Sequence, residues 1–310
     1  MNPTELTILN YHYVRPLTRS RYPEIKGCSL ETFKAQIEHL AARYNVVSAK
    51  DLILHLSGEQ SLPPNSAMLT FDDGFSDHYQ YVFPILARHG VSGCFYPPAA
   101  AVLEHRLLDV HKIHFILAAS KQPETLADLL DEFIQERRLG DPAEFAAQFR
   151  KASARDSAEI IYVKRMLQRG LPDDARAAIA THLFAETVSV DESAFAEELY
   201  CTLEQLTLMS SAGMHIGSHG YEHLWLSTLS EEHQRLELEH SLDFLSQVSP
   251  SESDFRSICY PYGDFNHSTT QLALSLGFKF GLADHHGIAD LVTDDRFSLP
   301  RVSTSDFLIA

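Results

Sequence analysis

The chain has 310 residues and a formal net charge of −17, from 42 acidic and 25 basic side chains. This acidity argues against nucleic acid and anionic lipid as partners, because both need a basic protein face. Four scattered cysteines without a CxxC pair argue against a disulfide scaffold or a thiolate zinc site. No apolar run reaches about 18 residues and the N-terminus lacks a signal-peptide pattern, so we expect a cytoplasmic protein without stable membrane insertion.

Strand and helix patterns alternate over the first hundred residues. Residues 6–14 (LTILNYHYV) are rich in strand-forming residues, and residues 29–44 predict a helix with Ser29 as its N-cap. A further strand ends at Phe71, and the helix after it closes at Gly90. This alternation predicts a parallel sheet or barrel that is covered by helices.

A different pattern occupies residues 104–200. Its segments read as helices that start with Asp or Pro and end with Gly, and their apolar spacing is too regular for a disordered linker. Strand–helix alternation then resumes. We therefore predict one domain, residues 1–310, with a helical insertion at about 104–200. The insertion could form a homo-oligomer interface or a lid, and the sequence leaves both open.

Three polar motifs fall where predicted strands end: TFDDG (70–74), HIGSHGYEH (215–223) and YPYGD (260–264). In a barrel, functional groups collect at the strand ends where the βα loops begin. His219 and His223 are four residues apart, so on a helical turn both rings would face one ion. The alternative is a pair of surface histidines at the start of a helix.

Two adjacent carboxylates follow the strand of the first motif. Beside a metal, one of Asp72 and Asp73 could bind the cation while the other acts as a general base for water. The alternative is that the pair only makes a turn or an N-cap.

Together the three motifs resemble those of the polysaccharide deacetylase family, also called carbohydrate esterase family 4 or the NodB-homology domain. TFDDG is similar to its first motif, SHGYEH to its second, YPYG to its third and ILNYHYV to its opening strand. The resemblance covers roughly residues 6–103 and 200–303. It implies an α/β fold, a distorted (β/α)7 TIM-like barrel, and removal of acetyl groups from sugars with a divalent metal.

The resemblance also implies roles by motif position. Asp73, His219 and His223 would hold the metal, with Zn²⁺ expected first and Co²⁺, Ni²⁺ or Mn²⁺ as alternatives. Asp72 would be the catalytic base. A late histidine would protonate the leaving amine. We choose His285 for this role. The alternative is that His285 and His286 lie in a solvated loop. His12, at the end of the first strand, is a competing candidate for the general acid.

Further residues could contact the sugar. His111 and His114 are three apart on a helix that opens the insertion, where they could overhang the barrel mouth or pack in an interface. Tyr260, Tyr262 and Trp225 could stack on a sugar ring or pack in the core. The expected substrate-binding residues are His12, His111, Tyr260, Pro261, Tyr262 and Arg301.

One position departs from the family pattern. The third motif usually carries an arginine two residues before its proline, where it orients the base, and Cys259 stands there in this chain. The partner of Asp72 must then come from elsewhere, and Arg256 and Arg301 are the candidates.

These observations predict a metal-dependent hydrolase that removes an N-acetyl group from an acetamido sugar. The expected cytoplasmic location favours a nucleotide- or lipid-linked precursor of a cell-surface polysaccharide, such as O-antigen or capsule. Two alternatives stay open. One is hydrolysis of another non-peptide C–N bond, as in allantoinase-like or cyclic-imide relatives of the barrel. The other is a non-catalytic carbohydrate-binding barrel, which Cys259 suggests.

Overall fold

The computed structural model describes residues 4–153 and 156–307. The chain divides into two compact units, and the first comprises Met1–Pro16, Gly27–Arg106 and Ala196–Ala310. All strands of the described residues belong to this first unit. They are β1 (Glu5–Tyr11), β2 (Val14–Arg15), β3 (Cys28–Ser29), β4 (Asn45–Val46), β5 (Ser66–Asp72), β6 (Cys94–Tyr96), β7 (His215–Ile216), β8 (Ser257–Cys259), β9 (Phe280–His286), β10 (Ala289–Asp290) and β11 (Leu299–Ser303).

The α-helices of the described residues fall in both units. Those before Arg106 and those from Leu203 onward belong to the first unit, and most of the others to the second. They are α1 (Leu30–Arg43), α2 (Ala49–Leu56), α3 (Phe83–His89), α4 (Ala99–Leu103), α5 (Asp109–Ala119), α6 (Pro123–Glu136), α7 (Pro142–Phe149), α8 (Ala158–Arg165), α9 (Asp173–Thr187), α10 (Glu192–Leu199), α11 (Leu203–Ser211), α12 (Glu231–Val248) and α13 (His267–Ser275).

Seven strands of the first unit form a curled parallel sheet in the order β7-β6-β5-β1-β11-β9-β8. A parallel bridge between Ser218, just beyond β7, and Ile258 of β8 joins the two edges of this sheet. The Ser218 N–H donates to the carbonyl of Ser257 at 2.9 Å, and the Cys259 N–H donates to the carbonyl of Ser218 at 2.9 Å. The prediction of a distorted (β/α)7 barrel is confirmed.

Strands β1, β5 and β6 are buried on both faces, so they read as apolar runs rather than as alternating patterns. One set of alternate residues fills the barrel interior, where Ile8 of β1 and Met68 of β5 share a core. The other set packs outward, and Leu9 and Phe71 lie in a second core together with Phe33 of α1. Because strand side chains alternate, Asp72 shares the inward parity of Met68.

Local sequence signals account for the ends of the covering helices. The Ser29 hydroxyl accepts the Thr32 N–H at 3.1 Å and so caps α1, as predicted. Helix α3 ends at Gly90, whose φ of 65° lies in the left-handed region that glycine adopts easily. The start of α1 and the end of α3 therefore lie where the sequence predicts them.

The second unit comprises Leu17–Lys26 and Leu107–Phe195 and contains helices α5 to α9. Within it, α5 packs against α9 and α6 against α8. Lys112 of α5 is buried, and its ammonium lies 2.7 Å from Glu192 and 3.3 Å from Asp109. The helical character predicted for this stretch is confirmed, whereas its status as an insertion into a single domain stays a prediction. Every helix of the described residues is too short or too polar to cross a bilayer.

Candidate metal and catalytic site

Three buried side chains converge beyond the ends of β5 and β7. Asp73 Oδ1 lies 3.6 Å from His219 Nε2 and 3.5 Å from His223 Nε2. His219 Nδ1 is 2.7 Å from the carbonyl oxygen of Cys259, to which it donates, so the lone pair of Nε2 faces the other two groups. Ligands about 2.1 Å from a tetrahedral ion lie about 3.4 Å apart, so this donor set fits Zn²⁺ or a similar cation.

The two aspartates point to different places because the chain turns sharply between them. Asp72 is the last residue of β5, whereas Asp73 has φ 72° and Gly74 has φ 64°. The Asp73 N–H donates to the carbonyl of Tyr96 at 3.0 Å. A Cβ on Gly74 would lie 2.5 Å from the Pro97 side chain, so only glycine fits this turn.

The histidine pair lies on a loop, so the prediction of a helical turn is wrong. No helix covers the described residues 217–225. Gly220 has φ 71° and His223 has φ 61°, both in the left-handed region. The rings nevertheless meet, with centroids 4.8 Å apart. The i,i+4 spacing therefore predicted the convergence but not the backbone that produces it.

Asp72 forms a buried ion pair with Arg301 of β11. Arg301 Nη1 lies 2.8 Å from Asp72 Oδ2 and 2.9 Å from Oδ1, and its Nε donates to the carbonyl of Ala283 at 2.9 Å. Burial alone would raise the pKa of Asp72, but the guanidinium, with His219 and His12, lowers it below its ordinary value. The carboxylate that resembles the family's base is therefore held in its ionised form.

Of the two candidate partners for Asp72, only Arg301 reaches it. Arg256 instead donates to the Ser246 hydroxyl at 3.2 Å. Cys259 does face the base, with its Sγ 3.5 Å from Asp72 Oδ1, and burial raises the pKa of this thiol. Arg301 is only 4% exposed and contacts Asp72, so it is buried away from the substrate that we expected it to bind.

An exposed histidine, His12, approaches Asp72 from the side of the first strand. Its Nε2 lies 3.8 Å from Asp72 Oδ2, and its side chain is 46% exposed. The buried His78 donates from Nε2 to the His12 carbonyl at 2.8 Å, which fixes the backbone there. His285 is exposed on β9, where the register with β11 is irregular, and no contact within the described residues joins it to either aspartate.

An aromatic pair stands beside the metal-ligand cluster. The rings of Trp225 and Tyr262 stack with centroids 4.0 Å apart and an angle of 3°, and Tyr262 also lies 4.6 Å from the ring of His223. Both are partly exposed, so they are accessible to a ligand. Tyr260, in contrast, is fully buried against Phe265, so its expected contact with substrate is wrong.

The remaining expected substrate contacts are buried. Pro261 lies in the turn that follows β8, where its ring would touch a side chain at Gly220. His111 is fully buried on α5 of the second unit. Its role at a substrate stays a prediction that the structure does not support.

Two buried residues of the site were missed by sequence reasoning. Glu237 of α12 accepts the N–H groups of Tyr221 and Glu222, between the two histidines, and His78 holds the carbonyl of His12. Neither belongs to a motif, and Glu237 falls in an ordinary amphipathic helix. Only the folded chain reveals their contacts.

Comparison with known proteins gives a family likeness. Residues 175–281 match the family model for polysaccharide deacetylase, and this stretch begins inside the predicted insertion. YxkH of Bacillus subtilis (strain 168), named as a candidate polysaccharide deacetylase, is 29% identical over 90 residues, which are 29% of this chain and 30% of that protein. The match therefore spans less than a third of the curated relative. The predicted resemblance to this family is confirmed.

Solved structures of low identity share the fold. The Streptococcus pyogenes deacetylase PplD, in complex with acetate, is 19% identical with a TM-score of 0.59 over 96% of this chain and 92% of that one. A de-N-acetylase from Aggregatibacter actinomycetemcomitans is 17% identical with a TM-score of 0.58, over 98% and 97%. IcaB from Ammonifex degensii is 18% identical with a TM-score of 0.57, over 96% and 91%. These likenesses concern the barrel fold alone.

Proposed function

We propose that this chain is a metal-dependent hydrolase that removes an N-acetyl group from an acetamido sugar. The chain resembles the polysaccharide deacetylase family in sequence and in fold. The observation that carries this proposal is the buried Asp73–His219–His223 cluster next to an ionised Asp72. The names of the structural neighbours, a deacetylase and a de-N-acetylase, agree with this chemistry.

The roles of the residues follow from their positions. Asp73, His219 and His223 would hold the metal, and Zn²⁺ suits two imidazoles and a carboxylate. A divalent cation bound there supplies a Lewis acid for the acetyl carbonyl and lowers the pKa of water. Asp72 accepts the proton of the attacking water. Arg301 keeps Asp72 ionised and oriented, so it is a positioning residue.

The leaving amine needs a proton when the C–N bond breaks. We assign this proton to His12, because its exposed imidazole is the one that lies near Asp72. His285, our choice from the sequence, has no comparable contact. Trp225 and Tyr262 form a flat aromatic wall on which a sugar ring could stack.

The finer identity of the substrate rests on the sequence alone. A nucleotide- or lipid-linked precursor of O-antigen or capsule stays our proposed substrate class. The formation of a homo-oligomer stays a prediction. The non-catalytic alternative was based on the missing arginine at Cys259. Arg301 provides a guanidinium beside Asp72 instead, which weakens this alternative.

The test is acetate release by the Zn²⁺-loaded protein from four substrates: a nucleotide-linked and a lipid-linked N-acetylhexosamine, a chitin oligomer and peptidoglycan. We expect release from a soluble or lipid-linked conjugate. Asp72→Asn should abolish turnover but keep the metal, and Asp73→Asn should lose the metal, while Asp243→Asn on the exposed face of α12 is the control. Hydrolysis of a cyclic amide in place of every acetamido sugar, or full activity of Asp72→Asn, would overturn the proposal.

A further inference from the structure

The loop between the two histidine ligands is held by a buried carboxylate from α12. Glu237 is 7% exposed, and its Oε2 accepts the backbone N–H groups of Tyr221 and Glu222, each at 3.0 Å. These two residues lie between His219 and His223. One carboxylate oxygen therefore satisfies two consecutive donors of the segment that presents both imidazoles.

The backbone of this loop is shaped to admit the carboxylate. Gly220 has φ 71°, and a Cβ there would lie 3.3 Å from Glu237 Oε2. The N–H groups of Ala99 and Ala100 on α4 donate to the carbonyls of Gly220 and Tyr221 at 3.2 and 2.9 Å. The loop is thus fixed through its carbonyls by one helix and through its N–H groups by another.

The side chains of the loop are tied to the segment that ends and follows α4. The Tyr221 hydroxyl donates to Glu104 at 2.6 Å, and Arg106 lies 2.9 Å from Glu222. These contacts are exposed, so water competes with them. Glu237 itself is buried and its two hydrogen bonds to the loop are partly buried, so their loss costs more than the loss of the exposed contacts.

We propose that Glu237 is a positioning residue for the metal site, acting through the Tyr221 and Glu222 N–H groups to set the separation of the two imidazoles. The inference rests on the proposed metal site at Asp73, His219 and His223. Without the carboxylate, the partly buried N–H groups of Tyr221 and Glu222 lose their acceptor, and the loop relaxes toward conformations in which the Nε2 atoms no longer converge.

The experiment uses the whole 310-residue chain loaded with Co²⁺, because the visible absorption of Co²⁺ reports its coordination geometry. We expect Glu237→Ala to weaken Co²⁺ and Zn²⁺ binding about 10- to 100-fold, as measured by chelator competition, because groups that hold metal ligands have effects of this size. The Co²⁺ absorption at saturation should also change. Glu237→Gln keeps an oxygen acceptor at the same place and should recover most of the affinity.

Two further variants make the result interpretable. Glu239→Ala, on the same helix and paired with Arg235 at 3.8 Å on the surface, should leave affinity and absorption unchanged. Glu237→Asp keeps the charge but is one methylene shorter, so it should weaken binding even if Glu237→Ala does not fold.

Two outcomes contradict the inference in different ways. Wild-type affinity and absorption in Glu237→Asp, and in Glu237→Ala where it folds, would assign Glu237 a merely structural role even if the stability is reduced. If the wild-type protein and Asp73→Asn bind Co²⁺ equally, the proposed metal site itself fails, and the role of Glu237 fails with it.

Discussion

Removing the cation from the buried Asp72–Arg301 pair should destabilise the protein strongly. The two side chains are 2% and 3% exposed, so neither charge is solvated by bulk water. Arg301→Met keeps a long apolar side chain but leaves the carboxylate of Asp72 without its partner. The Thr70 hydroxyl and the Ala283 carbonyl also lose donors at 3.2 and 2.9 Å.

The size of the effect follows from the burial of the pair. Breaking a buried ion pair from one side costs about 3–5 kcal/mol, since an uncompensated charge stays behind. The pKa of Asp72 is lowered in the folded protein, so the pair stabilises it above the ordinary aspartate pKa and loses this effect as pH falls through the folded value. In Arg301→Met the largest influence that lowers this pKa is gone, so burial should raise the pKa of Asp72 and the deficit should shrink as the pH is lowered.

Urea unfolding of the metal-free protein between neutral and acidic pH measures this deficit. The double variant Asp72→Asn, Arg301→Met removes both charges and should recover most of the lost free energy. A loss below about 1 kcal/mol for Arg301→Met, the range of an exposed pair, would refute the reasoning. So would a double variant as unstable as the single one.

Three further predictions concern the histidines and the aromatic wall. His12→Gln should lower kcat about 10²- to 10⁴-fold in the acetate-release assay, the usual range for a general acid, whereas His285→Gln should leave it unchanged; the reverse pattern would restore His285. Burial lowers the pKa of His78 from 6.5 to about 4, so the unfolded chain binds the extra proton and stability falls as pH drops between these values. Denaturant unfolding should show a loss on the order of 3 kcal/mol, absent in His78→Gln. Trp225→Ala should raise KM far more than it lowers kcat, because in the proposed function the sugar stacks on the two rings of Trp225 and Tyr262 and the reacting bond does not touch them. An unchanged KM would show that this pair does not bind the substrate.

The sequence was sufficient for the barrel and for most of the groups at its mouth. Polar residues that directly follow apolar strand patterns lie at strand ends. The proximity of Asp72, Asp73 and the histidine motif could therefore be predicted from the sequence. The start of α1 could also be predicted, because serine is a preferred N-cap residue and Ser29 directly precedes the helical pattern. In each case the decisive information is local and lies within a few residues of the feature.

The errors concern contacts that depend on sheet order and on distant packing. Arg301 could not be chosen over Arg256 from the sequence, because its access to Asp72 follows from β11 and β5 flanking β1. Tyr260 was misassigned because it directly follows β8, and its burial against Phe265 depends on packing that the sequence does not show. The loop between the histidines was misread as helical, because Glu237 fixes it from another element.

The place where the sheet closes has a consequence for how the protein is held together. Ser218 and Ile258 form the bridge between the two edges, and the next residues are His219 and Cys259, which are themselves joined by a hydrogen bond. The candidate metal site therefore lies where the two edges of the sheet meet. A cation bound there would stabilise the pairing of the two sheet edges. Separation of these edges and release of the ion would then be one coupled equilibrium.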